Sequence, residues 1–273
     1  MVTNKKTSRL LASPYLAWAL IFILVPLAMI VWYGLTDNTG KLTLSKVAAI
    51  SRPENMKALL LALLLALIST VICFLLAYPL GMILAANKLS SQGIIMTLFI
   101  LPMWMNFLLR TLAWMTLLEN KGVFNGILSF LGLPNIHVIN TPGAIVIGMV
   151  YNFLPFMILP IYNSLARIDD SVINAARDLG ANSVQTFFKV TLPISRPGII
   201  SGITMVFIPA LTTFAISTML GGSKILLIGN VIEQEFTLSY DWNMGSGLSM
   251  VLMIFIIINM VIQAISDREE GAS

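Results

Sequence analysis

Six stretches of about twenty residues, mostly apolar and free of Asp and Glu, decide what this chain can become. They run at about 15–33, 59–85, 94–115, 144–165, 199–220 and 248–265. A helix that crosses the hydrocarbon of a bilayer needs roughly 20 predominantly apolar residues. Backbone polar groups in lipid must find partners within the protein, so each stretch is expected to be helical. The chain has 273 residues, 58 % of them hydrophobic and 10 % charged, whereas soluble domains carry roughly 25 % charged residues. A water-soluble core of this size cannot hide so much apolar surface. The expected fold class is therefore all-α integral membrane, with six transmembrane helices in a single transmembrane domain over residues 1–273. Pro26, Pro79, Pro102, Pro155 and Pro209 fall inside these stretches and read as kinks in a helix bundle.

The segment Met1–Arg9 is polar and basic, with Lys5, Lys6 and Arg9. The apolar run after it continues to about Trp32, longer than a signal-peptide core, and has no small-residue cleavage site, so a retained signal-anchor helix is expected. An even number of spans puts both termini on one side. Nine basic residues then fall on the terminal side and seven opposite, too narrow a margin to orient the chain.

Several function classes drop out. The formal charge is +4 but forms no basic block, so no nucleic-acid partner is expected. Cys73 is the single cysteine, which rules out an intrachain disulfide. His137 has no Cys or His at ligand spacing, so no metal site is expected. No catalytic grouping or phosphate-binding loop is present. The expectation is no catalytic residue, no cofactor and no enzyme activity.

The loops carry the remaining information. The connections at about 37–57 and 117–141 are long and of mixed polarity, and Gly122–Leu128 reads as a short surface helix. The connection at about 166–198 has a helical pattern of its own. Asp170 or Ser171 can cap a helix there. Val172, Ala175, Ala176 and Leu179 then form one apolar stripe. Gly180 can stop that helix in a left-handed conformation. Asn182 or Ser183 can cap a second helix, which Pro193 is expected to end.

This loop resembles the EAA loop of ABC importer permeases. Asn174-Ala175-Ala176, Gly180 and Leu192-Pro193 occupy the positions of that pattern, with Asn174 where the family usually has Glu. The resemblance implies a type I ABC importer permease fold and a cytoplasmic coupling helix docked on an ATPase subunit. It assigns Asn174, Ala175, Ala176, Asp178, Gly180, Leu192 and Pro193 to coupling, and it places both termini in the cytoplasm. Pro102–Asn106 with Arg110, and Leu220–Ile232 with Phe236 and Asp241-Trp242, are similar to the PotB-type permeases of spermidine/putrescine importers. That family implies a bacterial inner-membrane complex. Its expected partners are a second related permease in a heterodimer, two ATPase subunits that carry the hydrolysis, an extracytoplasmic substrate-binding protein, and membrane lipid.

A polyamine pathway should offer carboxylates, amide or carbonyl oxygens and aromatic faces. The candidates within the spans are Trp104, Asn106, Tyr151, Asn152, Thr212, Thr213, Phe214, Ser217 and Thr218; those on the outer side are Glu119, Glu233, Glu235 and Asp241. Some family members carry a carboxylate at the position of Thr218; this chain does not. Arg110 reads as an interface anchor or a partner of an acid such as Glu119. The outer connection from Gly221 to Gly247 counts Glu233, Glu235 and Asp241 against Lys224, a mildly cation-favouring mouth. Two alternatives stay open: the same machine with another cargo, such as ferric iron or an oxyanion, or an ATP-independent channel or secondary transporter. The missing intramembrane carboxylates and the EAA-like loop argue against the latter.

Overall fold

A computed structural model describes residues 14–86 and 101–271. The basic segment Met1–Arg9, Lys88 and the first part of the third expected span, 94–100, lie outside the described residues. Among the described residues the regular structure is helical, apart from one antiparallel bridge between Thr36 and Leu42. Four helices there are long and apolar enough to cross a membrane, or five if one bent pair is counted as a span.

Two compact units partition the chain, Met1–Met56 with Val231–Phe255, and Lys57–Asn230 with Ile256–Ser273. In the first unit, α1 (Pro14–Gly34) runs through a wide π turn at Leu20–Leu24 just before Pro26. Asp37 then organises the loop, accepting from the Thr39 hydroxyl and from the backbone N–H groups of Thr39 and Lys41. These bonds hold its carboxyl below the ordinary range, the Thr39 hydroxyl foremost. Asn243 donates to the carbonyls of Tyr33 and Thr36, tying the end of α1 to the helix that begins at Trp242. Ala49, Met244 and Leu248 form a small core with Ile50, Val231 and Ile232 against it.

The second unit is built around α5 (Pro142–Leu165), which packs on α8 (Arg196–Thr212) and α9 (Ala215–Gly221). Met149, Met157, Ile158 and Ile161 of α5, Val206 and Leu211 of α8, and Ile216 and Leu220 of α9 are fully buried. The helix α2 (Pro53–Ala86) brings Ala62, Ala66, Cys73 and Ala77 to the core. Small residues at such contacts let backbones approach closely where lipid supplies no hydrophobic drive between helices. After a short 3₁₀ turn at Leu101–Trp104 come α3 (Phe107–Leu118) and α4 (Val123–Phe130), the latter matching the expected surface helix. The connection at about 166–198 forms a hairpin of α6 (Asp170–Asp178) and α7 (Ser183–Ile194). Finally come α10 (Ile228–Thr237) and α11 (Trp242–Gly271).

Two expected spans are not single helices. The described part of 94–115 breaks at Met105-Asn106, where Asn106 leaves helical geometry to cap α3. The span expected at 199–220 breaks at Thr213-Phe214, because Thr213 is extended, with ψ near 138°. The helices run on through Pro79, Pro155 and Pro209.

Candidate transport pathway and coupling hairpin

The hairpin α6–α7 is fixed locally by its own sequence. The α6 cap is Asp169, whose side chain accepts from the Ser171 N–H, one residue earlier than expected. A cap residue has non-helical geometry, and Asp169 is the extended one, which excludes Asp170 and Ser171 from the role. At the other end Gly180 has φ of 84°. Its N–H donates to the Arg177 carbonyl and the Ala181 N–H donates back to Ala176, a Schellman closure. Asn182 and Gln185 form a reciprocal capping box that opens α7.

Pro193 does not end α7. The helix passes through a wide π turn at Phe187–Thr191 and stops at Ile194, then bends 64° into α8. The extra residue of the wide turn lies immediately ahead of the proline, which has no N–H to continue a narrow ladder.

Within this chain the hairpin surface is uncovered. Asn174, Ala175 and Asp178 are exposed, Ala176 is half-buried, and Leu179 is 90 % exposed. The apolar stripe therefore finds no cover in the chain's own core. Leu192 is half-buried and Pro193 exposed. A cavity of about 310 Å³ lies beneath the hairpin, bounded by the ends of α2 and α5 and by Ile173, Arg177 and Phe187.

The break between α8 and α9 is organised by Asn230, a residue that the candidate set omits. Its Oδ1 accepts from the Ser217 hydroxyl at 2.6 Å and from the Leu227 N–H at 3.0 Å. Its Nδ2 donates to the Phe214 carbonyl at 3.1 Å and to the Thr218 hydroxyl at 2.8 Å. Gly229 allows this approach: a Cβ there would sit 2.7 Å from the Thr212 carbonyl oxygen and 2.9 Å from that of Thr213. Phe214 and Thr218 are exposed beside the break, and Thr212 is half-buried with its hydroxyl donating to Ile208. The signal available in sequence was the Gly229-Asn230 pair next to an apolar run.

The other span candidates separate into different roles. Asn106 accepts from the Leu108 and Leu109 N–H groups as the α3 cap, and Trp104 is 80 % exposed. Arg110 is buried; it donates to the Pro102 carbonyl and lies 5.8 Å over the Tyr151 ring. It makes no ion pair with Glu119, which lies nine residues along the chain at the far end of α3; the near side of the helix offers an aromatic face instead. Trp114 stands edge-on to the same ring at 5.1 Å. Asn152 is buried and donates to Gly148, while its Oδ1 has no partner among the described residues.

The outer acids also differ from one another. Glu233 and Glu235 are half-buried on α10, the former accepting from the Thr237 hydroxyl. Asp241 is bound on both oxygens, by Lys46 at 3.1 Å and by the Met244 N–H at 2.9 Å. Burial raises its carboxyl pKa, but the Met244 bond and the Lys46 ammonium outweigh it and hold the group below its ordinary value. The expected excess of negative charge at this mouth is therefore reduced, since Lys46 already neutralises one of the three acids.

Residues 77–269 match the family described as the binding-protein-dependent transport system inner membrane component. The chain is 34 % identical over 269 residues to the spermidine/putrescine transport system permease protein PotB of Haemophilus influenzae, covering 93 % of this chain and 94 % of that protein. It is 36 % identical over 245 residues to PotB of Escherichia coli, covering 87 % and 89 %. The chain belongs to the PotB-type family of ABC importer permeases. Its fold agrees: the permease superposes with a TM-score of 0.76 on a chain of a bacterial ABC transporter that imports alginate, at 17 % identity, covering 98 % of this chain and 96 % of that one. The permease is thus a multi-pass membrane protein and a transporter subunit rather than an enzyme.

Proposed function

We propose that this permease carries spermidine and putrescine inward across a bacterial inner membrane, as one half of a heterodimer with a second related permease. The observation that carries this reading is the similarity, along nearly the whole chain, to permeases named for spermidine/putrescine transport. Two ATPase subunits supply the hydrolysis and an extracytoplasmic binding protein delivers the solute. The residues 1–273 act as one permease domain with both termini and the α6–α7 hairpin in the cytoplasm. The exposed surface of Asn174, Ala175, Ala176 and Asp178, set by the Gly180 turn and by Leu192-Pro193, docks on an ATPase subunit. The uncovered stripe supports this, because an apolar helix face is stable in water only when something covers it.

The solute path runs along the break between α8 and α9, where Thr212, Phe214 and Thr218 meet main-chain carbonyls. Tyr151, Asn152, Trp104 and Asn106 are assigned to solute contact within the membrane, and Glu233, Glu235 and Asp241 to reception of the solute on the outer side. Oxygen donors and aromatic faces without a fixed carboxylate suit a mobile multivalent cation, which must leave as readily as it enters.

The test is uptake of radiolabelled spermidine by the reconstituted four-subunit complex with its binding protein. Saturable, ATP-dependent uptake competed by putrescine is expected. Competition by ferric iron or sulfate, with none by polyamines, overturns the cargo and leaves the ABC permease assignment standing.

A further inference from the structure

The bend at Ser195, where the α6–α7 hairpin passes into the membrane helix α8, is fastened to a different helix by a buried hydrogen bond. Tyr78 of α2 places its hydroxyl 2.8 Å from the Ser195 hydroxyl. The Ser195 hydroxyl in turn donates to the Leu192 carbonyl at 3.1 Å, so Tyr78 is the donor of the pair and the chain of bonds runs one way. Ser195 is fully buried and Tyr78 nearly so. Phe187, in the wide turn of α7, stands edge-on to the Tyr78 ring at 5.7 Å. On its other flank the start of α8 is pressed on α5, since a Cβ on Gly198 would fall 2.6 Å from the Pro160 carbonyl oxygen.

We propose that Tyr78 and Ser195 form the joint through which movement of the hairpin is passed to α2 and α8 together, Tyr78 being a positioning residue for the coupling of hydrolysis to transport. This rests on the reading of the hairpin as the ATPase-docking element. A lever that ends in a 64° bend transmits displacement only if the bend is held. Packing alone lets the ring slide, whereas a directional bond in a low-dielectric interior fixes both angle and register. Pro193 makes such a fastening necessary, because the backbone ladder through the bend is short of a donor.

The test uses the complete complex in proteoliposomes, with its binding protein and radiolabelled spermidine, and reads solute moved per ATP hydrolysed. Tyr78→Phe removes one hydroxyl and keeps the ring; Ser195→Ala removes the acceptor. Each variant is expected to keep hydrolysing ATP and to lower the transport ratio by about three- to tenfold, the change corresponding to loss of one net hydrogen bond. The double variant is expected to be no worse than either single, and Ser195→Thr, which restores the hydroxyl, to recover the ratio. Wild-type ratios in both single variants overturn the joint. So do losses that multiply in the double variant, because they make the two residues independent. A variant that lowers the thermal stability of the complex with the ratio unchanged assigns the bond to structure alone and also overturns it. If wild-type complex moves another solute instead of spermidine, the cargo reading fails, and the same ratio measured with that solute still decides the joint.

Discussion

Gly180 shows how much a single residue can be asked to do. Its φ of 84° lies in the left-handed region, and a Cβ added there would meet nothing within 4 Å. Any cost of substitution is therefore conformational rather than steric. Gly180→Val should cost about 1–2 kcal/mol in the hairpin turn, and Gly180→Asn less, since Asn tolerates this region. With the turn mis-set, uptake and binding-protein-stimulated ATP hydrolysis should both fall for Val and largely persist for Asn. Wild-type rates for Gly180→Val would remove the argument that this turn positions a docking surface. The residue was legible in sequence because its job is local: a glycine after an amphipathic stripe is a helix stop wherever it occurs. Asn230 was not. Three of its four hydrogen bonds reach residues 12 to 16 positions away and exist only once α9 and α10 have met. Asn106 and Arg110 were legible as unusual residues but not in their roles, since a cap and a ring-facing cation depend on where the helix breaks.

At the scale of elements, long apolar helices were legible and their interruptions were not. The expected spans at 15–33, 144–165 and 248–265 agree with Pro14–Gly34, Pro142–Leu165 and Trp242–Ile265 to within a few residues at most ends. Apolar length is a property of the sequence, so it survives folding. The breaks at Met105-Asn106 and Thr213-Phe214 lie in sequence that is still mostly apolar, and are held by a side-chain cap in one case and by a neighbouring helix in the other. The start of α11 carries a testable consequence of its own. Asp241 holds that helix start through the Met244 N–H and through Lys46. Its carboxyl is depressed below the ordinary 3.8 in the folded protein, so its contribution is present above that value and is lost as pH falls through the lower folded-state value. The difference in amide-exchange protection of Met244 between wild type and Asp241→Asn should stay constant from about pH 8 down to about pH 5 and vanish in stronger acid. A difference that persists unchanged after full protonation would assign the protection to packing instead. The exposed part of the ion pair should contribute little, about 0–1 kcal/mol.

For the whole molecule the orientation across the bilayer decides what each surface can meet. The proposed orientation puts the α6–α7 hairpin inside and α4 outside. In a Cys73→Ser background, Ser183→Cys should react with an impermeant maleimide only after permeabilisation, while Phe130→Cys, at an exposed site on α4, should react in intact cells. Labelling of Ser183→Cys from outside would invert the topology and with it every role given to the hairpin. One further consequence lies in α1. None of its most apolar 18-residue window is buried in the protein, against 39 % for α2 and 56 % for α5. Apart from its end, which Asn243 ties to α11, α1 is left open along its length to lipid or a partner subunit, and its stay in the bilayer rests on its apolar length rather than on burial within this chain. During synthesis it can leave the translocation channel as soon as it is made, whereas α5 must wait in the bilayer for α8 and α9 to bury its other face. The chain thus commits to its membrane long before it has a fold to commit to. A truncation after α1 should still insert, while one ending after α5 should present its half-buried face to the quality-control proteases of the membrane.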